Sequence, residues 1–166
     1  MEDKAVLEEL AQALRELFEK DGKLLENDVH EQAVSCRLAG LLAVLFSDWN
    51  VDVEYNRDQK KSKQMPDPRN PERVVKVRPD IIVHKRRTSK NLLVVEVKKS
   101  GRNKDFDEEK LKRFTLKREQ GDYGYQLGVW LVLPGEPRLE KVKAKVFKEG
   151  QLHEDLTRAF RKLLAS

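Results

Sequence analysis

The sequence predicts one layered α/β domain, with helices at both ends of the chain and strands between them. Apolar residues recur at three- and four-residue steps near both ends, which is typical of amphipathic helices. The middle of the chain holds short apolar segments separated by polar loops, as strands are. The 166 residues suffice to bury a core without cross-links, so residues 1–166 are expected to form a single domain.

Two helices are predicted before the first strand. The first covers residues 3–20, where leucines lie on one face, and Gly22 is expected to end it. The second is predicted to begin with Asn27 or Asp28 as its N-cap and to end before Trp49. Its apolar stripe is expected to lie on the sheet.

Three strands and a long loop are predicted next. Residues 51–56 alternate between apolar and polar side chains, as a strand does. Residues 57–73 contain many charges and three prolines and are expected to form a mobile basic loop. Two apolar segments, residues 80–84 and 92–98, flank the polar residues 85–91 and predict an antiparallel hairpin.

A charged helix is predicted after the hairpin. Asp105 and Glu108 have the spacing of a capping box, and the helix is expected to run to about Gln120, where Gly121 ends it. The rest of the chain is predicted to form a strand covered on both faces, an edge strand and a last helix, at residues 125–133, 142–148 and 152–164.

The charges are unevenly distributed along the chain. Its 34 basic and 29 acidic residues give a net charge of +5. Residues 1–34 hold 4 basic and 10 acidic side chains, whereas residues 57–104 hold 16 basic and 5 acidic ones, a net charge of +11. A positive field confined to one region favours a polyanionic partner such as nucleic acid, although a solvated lysine-rich surface has the same composition.

Composition also excludes several classes of protein. No apolar run is long enough to span a bilayer and no signal-peptide pattern is present, so we expect an intracellular, cytoplasmic protein with no membrane partner. The single cysteine, Cys36, forms no internal disulfide, and three scattered histidines make no zinc framework.

The predicted hairpin contains the residues that are candidates for metal binding and catalysis. The register that we predict pairs three residues of one strand with three of the other: His84 with Leu92, Ile82 with Val94, and Asp80 with Glu96. Two carboxylates held in such a pair repel each other unless a cation lies between them. Oxygen ligands suit Mg²⁺ or Mn²⁺, and Lys98 lies on the same face as Glu96.

A simpler interpretation of the same residues stays open. A Glu-x-Lys tripeptide is common, and a shift of one residue in the register would turn Asp80 away from Glu96. The acid and lysine side chains would then form an ordinary surface salt-bridge cluster.

The motif residues Pro79, Asp80, Glu96, Val97 and Lys98 resemble those of the PD-(D/E)xK nuclease superfamily, which includes restriction endonucleases and Holliday-junction resolvases. Four longer stretches resemble an uncharacterised prokaryotic group within it: HEQAVSCRLA at 30–39, VEYNR at 53–57, RPDIIVH at 78–84 and NLLVVEVKKS at 91–100. The resemblance implies a restriction-endonuclease-like three-layer fold. A central mixed sheet is flanked by helices in an α-β-β-β-α-β core at about residues 27–133, with an extra N-terminal and a C-terminal helix.

The resemblance also implies the roles of individual residues. Asp80 and Glu96 would bind Mg²⁺ or Mn²⁺, the backbone carbonyl of Val97 would complete the coordination, and Lys98 would assist the attacking water. Glu31 matches an additional acid that the superfamily often supplies from its first core helix. Three residues after Asp28, Glu31 also fits a capping box, so both roles stay open.

Further basic residues are candidate contacts to phosphate. They either flank the predicted site or lie in the predicted loop: Arg78, Lys99, Arg102, Lys60, Lys61 and Lys63. Lys98 lies next to two carboxylates, and this favours its ammonium form. An ammonium ion is a poor general base, so Lys98 is better suited to position water or to stabilise developing negative charge.

The predicted function is that of a metal-dependent endonuclease that hydrolyses phosphodiester bonds, with DNA favoured over RNA as substrate. A homodimer is possible, because many members of the superfamily cut two strands as dimers. Two alternatives are a catalytically inactive nucleic-acid-binding module of the same fold and a protein-interaction domain that uses its acidic N-terminal helix.

Overall fold

The computed structural model describes residues 1–26, 30–55, 57–58, 61–67, 70–99, 104–120 and 123–166. The helices in these ranges are α1 (Asp3–Asp21), α2 (Lys23–Glu26), α3 (Glu31–Leu45), α4 (Lys104–Thr115) and α5 (Glu154–Ala165). The strands are β1 (Asn50–Val53), β2 (Arg57–Asp58), β3 (Lys61–Ser62), β4 (Gln64–Asp67), β5 (Asn70–Lys76), β6 (Ile81–His84), β7 (Asn91–Lys98), β8 (Tyr125–Val132), β9 (Lys143–Lys148) and β10 (Gln151–Leu152).

A mixed six-stranded sheet forms the centre of this α/β fold, in the order β1-β6-β7-β8-β9-β10. The β6–β7 pair is antiparallel, as predicted, and β7 and β8 are parallel neighbours. Parallel neighbours need a crossover connection, and here α4 provides it. The strand β8 is largely buried along its whole length, which confirms the prediction of a strand covered on both faces.

Three helices cover one face of the sheet. The amphipathic helix α1 contacts α3 and α5, α3 lies against β1, and α5 lies against β9. The leucines that predicted α1 are buried without exception, and their neighbours Val6 and Ala13 are buried as well. Helix α1 is therefore part of the main core.

Helix α4 covers the opposite face. Its Leu111 and Phe114 are fully buried against β8, and Phe106 is partly buried. Gly128 in β8 permits the close approach, because a Cβ atom there would lie 3.0 Å from Thr115 and 3.2 Å from Leu111. The chain thus has three layers, with the sheet in the middle.

The predicted mobile loop at residues 57–73 is wrong for the described part of that stretch. It forms two small antiparallel pairs, β2–β3 and β4–β5. Met65, in β4, is buried against the α4 side of the core together with Val77, which follows β5. Pro66 and Pro71 are tolerated because a two-stranded ribbon leaves backbone positions without a ladder partner.

Several predicted boundaries also differ. The first described residue of α3 is Glu31, and the proposed N-caps at residues 27 and 28 lie outside the described residues. Helix α4 starts at Lys104, so Asp105 lies in its first turn and is not its N-cap. The same helix ends at Thr115, before the predicted Gln120, which belongs to a separate 3₁₀ turn. Gly121 lies outside the described ranges.

The C-terminal part of the fold follows the prediction. Strand β9 covers most of residues 142–148, but β10 pairs with its outer side, so β9 is not the last strand of the sheet. Helix α5 spans nearly the predicted residues. No helix in the described ranges has the length and apolar character required to cross a bilayer.

Candidate active site

The β6–β7 hairpin brings the two predicted carboxylates to one end of its strands. Ile82 pairs with Val94, as predicted, and Ile81 pairs with Val95. Asp80 immediately precedes Ile81, so it lies beside the segment that follows Val95. The predicted partner of His84 is wrong, because a bulge after Val83 pairs His84 with Asn91.

Asp80 is held in place from two sides. Its Oδ2 atom accepts a hydrogen bond of 2.7 Å from the backbone N–H of Val97, in β7. Its own backbone carbonyl accepts a hydrogen bond of 3.1 Å from the N–H of Glu54, just after β1. The side chain is thus fixed at the point where β1, β6 and β7 meet.

Glu96 is completely buried. Its Oε2 atom lies 2.7 Å from the ammonium nitrogen of Lys110, and its Oε1 atom has no hydrogen-bond partner among the described residues. Burial raises the pKa of Glu96 to about 8, the ammonium of Lys110 acts to lower it, and the nearby Asp80 raises it further. A buried carboxylate oxygen without a donor is energetically costly, and either a proton or a cation at this atom would relieve that cost.

Lys110 was not among the predicted site residues, yet it lies at the centre of the site. Its ammonium contacts Glu96, lies 3.7 Å from Asp107 Oδ1 and donates a hydrogen bond of 3.4 Å to the backbone carbonyl of Arg78. The sequence held a signal for it, because Lys110 and Asp107 share the helix face of the buried Leu111 and Phe114. Charged residues on a buried face need partners.

Asp107 is a second residue that sequence reasoning missed. Its side chain is only 4% exposed, and its Oδ2 atom lies 3.8 Å from Lys98 Nζ. Burial raises the pKa of Asp107, while Lys98 and Lys110 act against that rise. The residue therefore links the two lysines of the site.

Lys98 is surrounded by acids. Its ammonium lies 3.5 Å from Glu31 Oε2 as well as near Asp107. Burial acts to lower the pKa of Lys98, but the combined attraction of four carboxylates outweighs it and the pKa is raised: Asp80, Asp107, Glu96 and Glu31. This direction agrees with the prediction that Lys98 is an ammonium ion at neutral pH.

Glu31 connects α3 to the end of β7. Its Oε1 atom accepts a hydrogen bond of 3.1 Å from the backbone N–H of Lys99, and Oε2 faces Lys98. The capping-box role is wrong, because α3 begins at Glu31 itself and its N-cap residue, His30, makes no side-chain cap. A role as metal ligand stays a prediction.

A cleft opens beside Asp80, with about 170 Å³ of free space. The residues that line it come from the start of α3, the end of β1 and the start of β6: Glu31, Gln32, Ser35, Val53, Glu54 and Asp80. Solvent therefore has access to Asp80 from this side.

The residues present fit a small divalent ion that retains most of its water ligands. In the described ranges, no three His, Cys, Asp or Glu side chains converge closely enough to enclose a metal. Asp80 uses Oδ2 for the bond to Val97, and Glu96 Oε1 is unpartnered. Because the N–H and C=O of a strand residue face the same neighbouring strand, the carbonyl of Val97 lies on the β6 side of β7. Mg²⁺ needs one or two carboxylates, with water and phosphate oxygens filling its other positions.

The predicted phosphate contacts have different locations. Arg78 is exposed immediately before the site, and Lys99 is half-buried at the end of β7. Lys63 is buried, donates a hydrogen bond of 3.1 Å to the backbone carbonyl of Tyr55 and lies 5.1 Å from the Tyr55 ring. The prediction that Lys63 contacts phosphate is therefore wrong. Lys60, Arg102 and the side chain of Lys61 lie outside the described residues.

The comparisons with known proteins add little to this geometry. No protein-family model matches the chain, and no curated protein matches it. Among solved structures it is similar to one titled "Crystal structure of SSO0001", at 16% sequence identity and a TM-score of 0.35, over 99% of this chain and 77% of that one. A likeness at this TM-score carries no conclusion about fold family or activity.

Proposed function

We propose that this protein is a metal-dependent nuclease of the PD-(D/E)xK type that hydrolyses phosphodiester bonds of nucleic acid, preferably DNA. The observation that carries the proposal is the position of Asp80 and Glu96 at one end of the β6–β7 hairpin, where Asp80 is near enough to raise the pKa of Glu96. Each carboxylate has one oxygen fixed by a neighbour and a second oxygen that this contact does not use. The central mixed sheet between helix layers is compatible with the restriction-endonuclease-like fold, which remains part of the proposal.

The residues of the site would have separate roles in this reaction. A bound Mg²⁺ or Mn²⁺ supplies Lewis-acid chemistry, polarising the phosphate and lowering the pKa of a bound water. Asp80, Glu96 and the carbonyl of Val97 would hold that ion. Lys98, charged and anchored between Glu31 and Asp107, would orient the attacking water and stabilise the negative charge that develops on the phosphate.

The substrate test uses labelled duplex DNA, single-stranded DNA and RNA, each incubated with Mg²⁺, Mn²⁺ or a chelator. We expect cleavage that depends on the metal and that is lost in Glu96→Gln. The matched control is Glu109→Gln, which makes the same change at an α4 residue whose side chain is 45% exposed and paired with Lys112. Equal cleavage by the parent and Glu96→Gln would contradict the proposal.

One observation favours a second candidate, an inactive nucleic-acid-binding module. The ammonium of Lys110 lies 2.7 Å from Glu96 Oε2 and supplies a cation next to this carboxylate. If Lys110 replaces the ion permanently, the protein binds nucleic acid equally well with metal and with chelator and cleaves none of the substrates. Calorimetric titration with Mg²⁺ separates the two candidates, because only the nuclease has a site that Glu96→Gln weakens.

A further inference from the structure

We infer that the β4–β5 ribbon is the part of this protein that binds duplex DNA, entering its major groove and guiding one strand to the site. The inference rests on the proposed function and names its substrate class. Strand β5 is largely exposed, with six of its seven residues exposed and one half-buried. Because residues on both faces of the strand are exposed, the part of the chain that the structure describes leaves the outer ribbon uncovered.

In the described ranges, the contacts that fix the ribbon to the domain lie at its root. Met65 of β4 and Val77, just after β5, are buried in the core on the α4 side. The backbone of Gln64 exchanges hydrogen bonds with the Tyr123 hydroxyl, which ties β4 to the segment before β8. Lys110 reaches the carbonyl of Arg78, so the same root is joined directly to the candidate site.

A row of outward side chains leads from the ribbon into the site. Burial alternates along this stretch: Val77 and Pro79 are buried, whereas Lys76 and Arg78 are exposed and Asp80 is half-buried at the cleft. Lys76 and Arg78 therefore share the outward face with Asp80. Successive side chains on one face of an extended chain are about 6.6 Å apart. This spacing is of the same order as the separation of neighbouring phosphates along a nucleic-acid strand.

The two cations of this row are available for phosphate. Neither Lys76 nor Arg78 lies within 4 Å of a carboxylate among the described residues, whereas exposed cations elsewhere, such as Lys141 and Arg158, are paired. Across the ribbon, Lys76 faces the uncharged Gln64. No acidic side chain of the described ribbon occupies the outward face between Lys76 and the site.

The shape of the ribbon selects the kind of nucleic acid. The major groove of B-form DNA admits a two-stranded β-ribbon, whereas the major groove of an RNA duplex is too narrow and deep. Farther out on the same face, Val74 is 60% exposed and Glu72 is exposed. These are residue types that contact the thymine methyl group and the cytosine amino group in that groove.

The test measures binding without cleavage, by fluorescence anisotropy of a 20-base-pair DNA in the presence of a chelator. The double variant Lys76→Gln/Arg78→Gln should reduce the slope of log affinity against log salt by about 1.8, because each duplex phosphate contact contributes about 0.9. The matched control is Arg87→Gln/Lys90→Gln, two exposed cations in the turn at the other end of β6 and β7. An equal change in both variants would overturn the inference.

Two further measurements identify the groove and the class of duplex. Methylation of guanine N7, which lies in the major groove, should block binding of the parent protein. An RNA duplex of the same sequence should bind the parent protein more weakly than the DNA does. Lys76→Gln/Arg78→Gln should reduce this weaker RNA binding no more than the control Arg87→Gln/Lys90→Gln does. Unimpeded binding to methylated DNA would exclude the major groove and overturn the inference.

Failure of this inference and failure of the proposed function give different results. If the ribbon variant loses DNA binding but neither it nor the parent cleaves with any metal, the ribbon binds DNA and the nuclease proposal fails. If the parent cleaves DNA in a metal-dependent way and the ribbon variant binds and cleaves as well as the control, the nuclease proposal stands and the ribbon inference fails.

Discussion

Glu96 and Lys110 form the most buried ion pair of the site, with the Glu96 side chain fully inaccessible and that of Lys110 9% exposed. Burying either charge alone is unfavourable, and their mutual attraction at 2.7 Å offsets much of that cost. Asp107, at 3.7 Å from Lys110, adds a second acid to the same cation. The side chains of Glu96, Lys110 and Asp107 therefore hold one another in position through ion pairs.

Lys110→Met should destabilise the protein by about 3–5 kcal/mol, because it removes the ammonium that lowers the pKa of Glu96 and leaves this buried group either to take up a proton or to keep an unpaired charge. The double variant Lys110→Met/Glu96→Gln should recover part of that loss, since no buried charge then lacks a partner at this position. Urea unfolding followed by circular dichroism measures both.

Lys112→Met serves as the control for this prediction. It breaks a half-exposed ion pair with Glu109 on the same helix and should cost less than about 1 kcal/mol. If the Lys110 and Lys112 variants were equally stable, the Lys110–Glu96 contact would contribute nothing to the fold.

Lys98→Ala should separate metal binding from catalysis. Both candidate carboxylate ligands stay in place, so Mg²⁺ binding measured by calorimetry is expected to persist. Cleavage should fall by about 10²–10³-fold, as when a single donor to developing transition-state charge is removed. The control is Lys145→Ala, which removes a part-buried cation paired with Glu108. Equal loss of cleavage in both variants would assign Lys98 a structural role only.

The hairpin and its bulge set the geometry at the scale of the element. The bulge after Val83 places His84 so that its Nε2 atom lies 2.8 Å from Asp52 Oδ2, in β1. Arg86 holds the same carboxylate, with its Nε atom 2.9 Å from Asp52 Oδ2. The far end of the hairpin is thereby fixed to β1, which leaves Asp80 at a fixed position at the near end.

His84 should make the stability of the protein depend on pH. Burial lowers the pKa of His84 below its ordinary value near 6.5, against the opposing effect of Asp52. Below about pH 6.5 the unfolded chain therefore binds more protons at this position than the folded one, and the contribution of His84 to the free energy of unfolding falls as the pH falls.

The measurement is urea unfolding at intervals from pH 5 to pH 8. Relative to the parent, His84→Gln should become more stable as the pH falls below about 6.5, since it lacks the titrating group, whereas the opposite trend from Glu96, whose pKa is raised to about 8, is common to both proteins. The exposed His30, changed to Gln, is the control and should leave the pH profile of the parent intact. Identical profiles for His84→Gln and the parent would contradict the prediction.

At the scale of the whole molecule, the acidic N-terminal helix belongs to the core that supports the sheet. Its Arg15 donates a hydrogen bond of 2.7 Å to the carbonyl of Leu163 in α5, and Gln126 of β8 donates one of 2.8 Å to Asp3. Both ends of α1 are thus joined to the C-terminal half of the chain. Of its acidic residues, two are exposed and four are half-buried: Glu8 and Glu19, and Asp3, Glu9, Glu16 and Asp21.

Leu10→Ala should therefore destabilise the entire domain and not α1 alone. Leu10 is completely buried in the core, and removal of its side-chain atoms should cost about 2–5 kcal/mol. Fluorescence of the two tryptophans and far-ultraviolet circular dichroism should report one shared transition at lower urea concentration. Separate transitions for the two signals would show that α1 unfolds on its own, and Glu8→Ala on the exposed face is the control that should change little.

Local patterns along the chain were sufficient to predict most elements. Helix α1, the β6–β7 hairpin and β8 follow from side-chain periodicity, because the period that buries one face is a property of the backbone. The pairing of Ile82 with Val94 followed from the same alternation. Asp80 and Glu96 could accordingly be placed at one end of the hairpin before any tertiary contact was known.

Only the tertiary structure decided which charges surround those two acids. Lys110 and Asp107 reach the site because α4 packs across β7 and β8, and the angle of that packing depends on contacts between residues distant in sequence. Lys63 belonged by composition to a basic loop, yet the ribbon root folds it inward over Tyr55. The bulge at His84 likewise depends on contacts with Asp52 and Arg86. These contacts cannot be predicted from the alternation of apolar and polar residues within one strand. The sequence by itself determined most elements and the position of the two acids on the hairpin, because these follow from local periodicity, whereas the β2–β5 strands and the partners of the two acids are set by packing between elements.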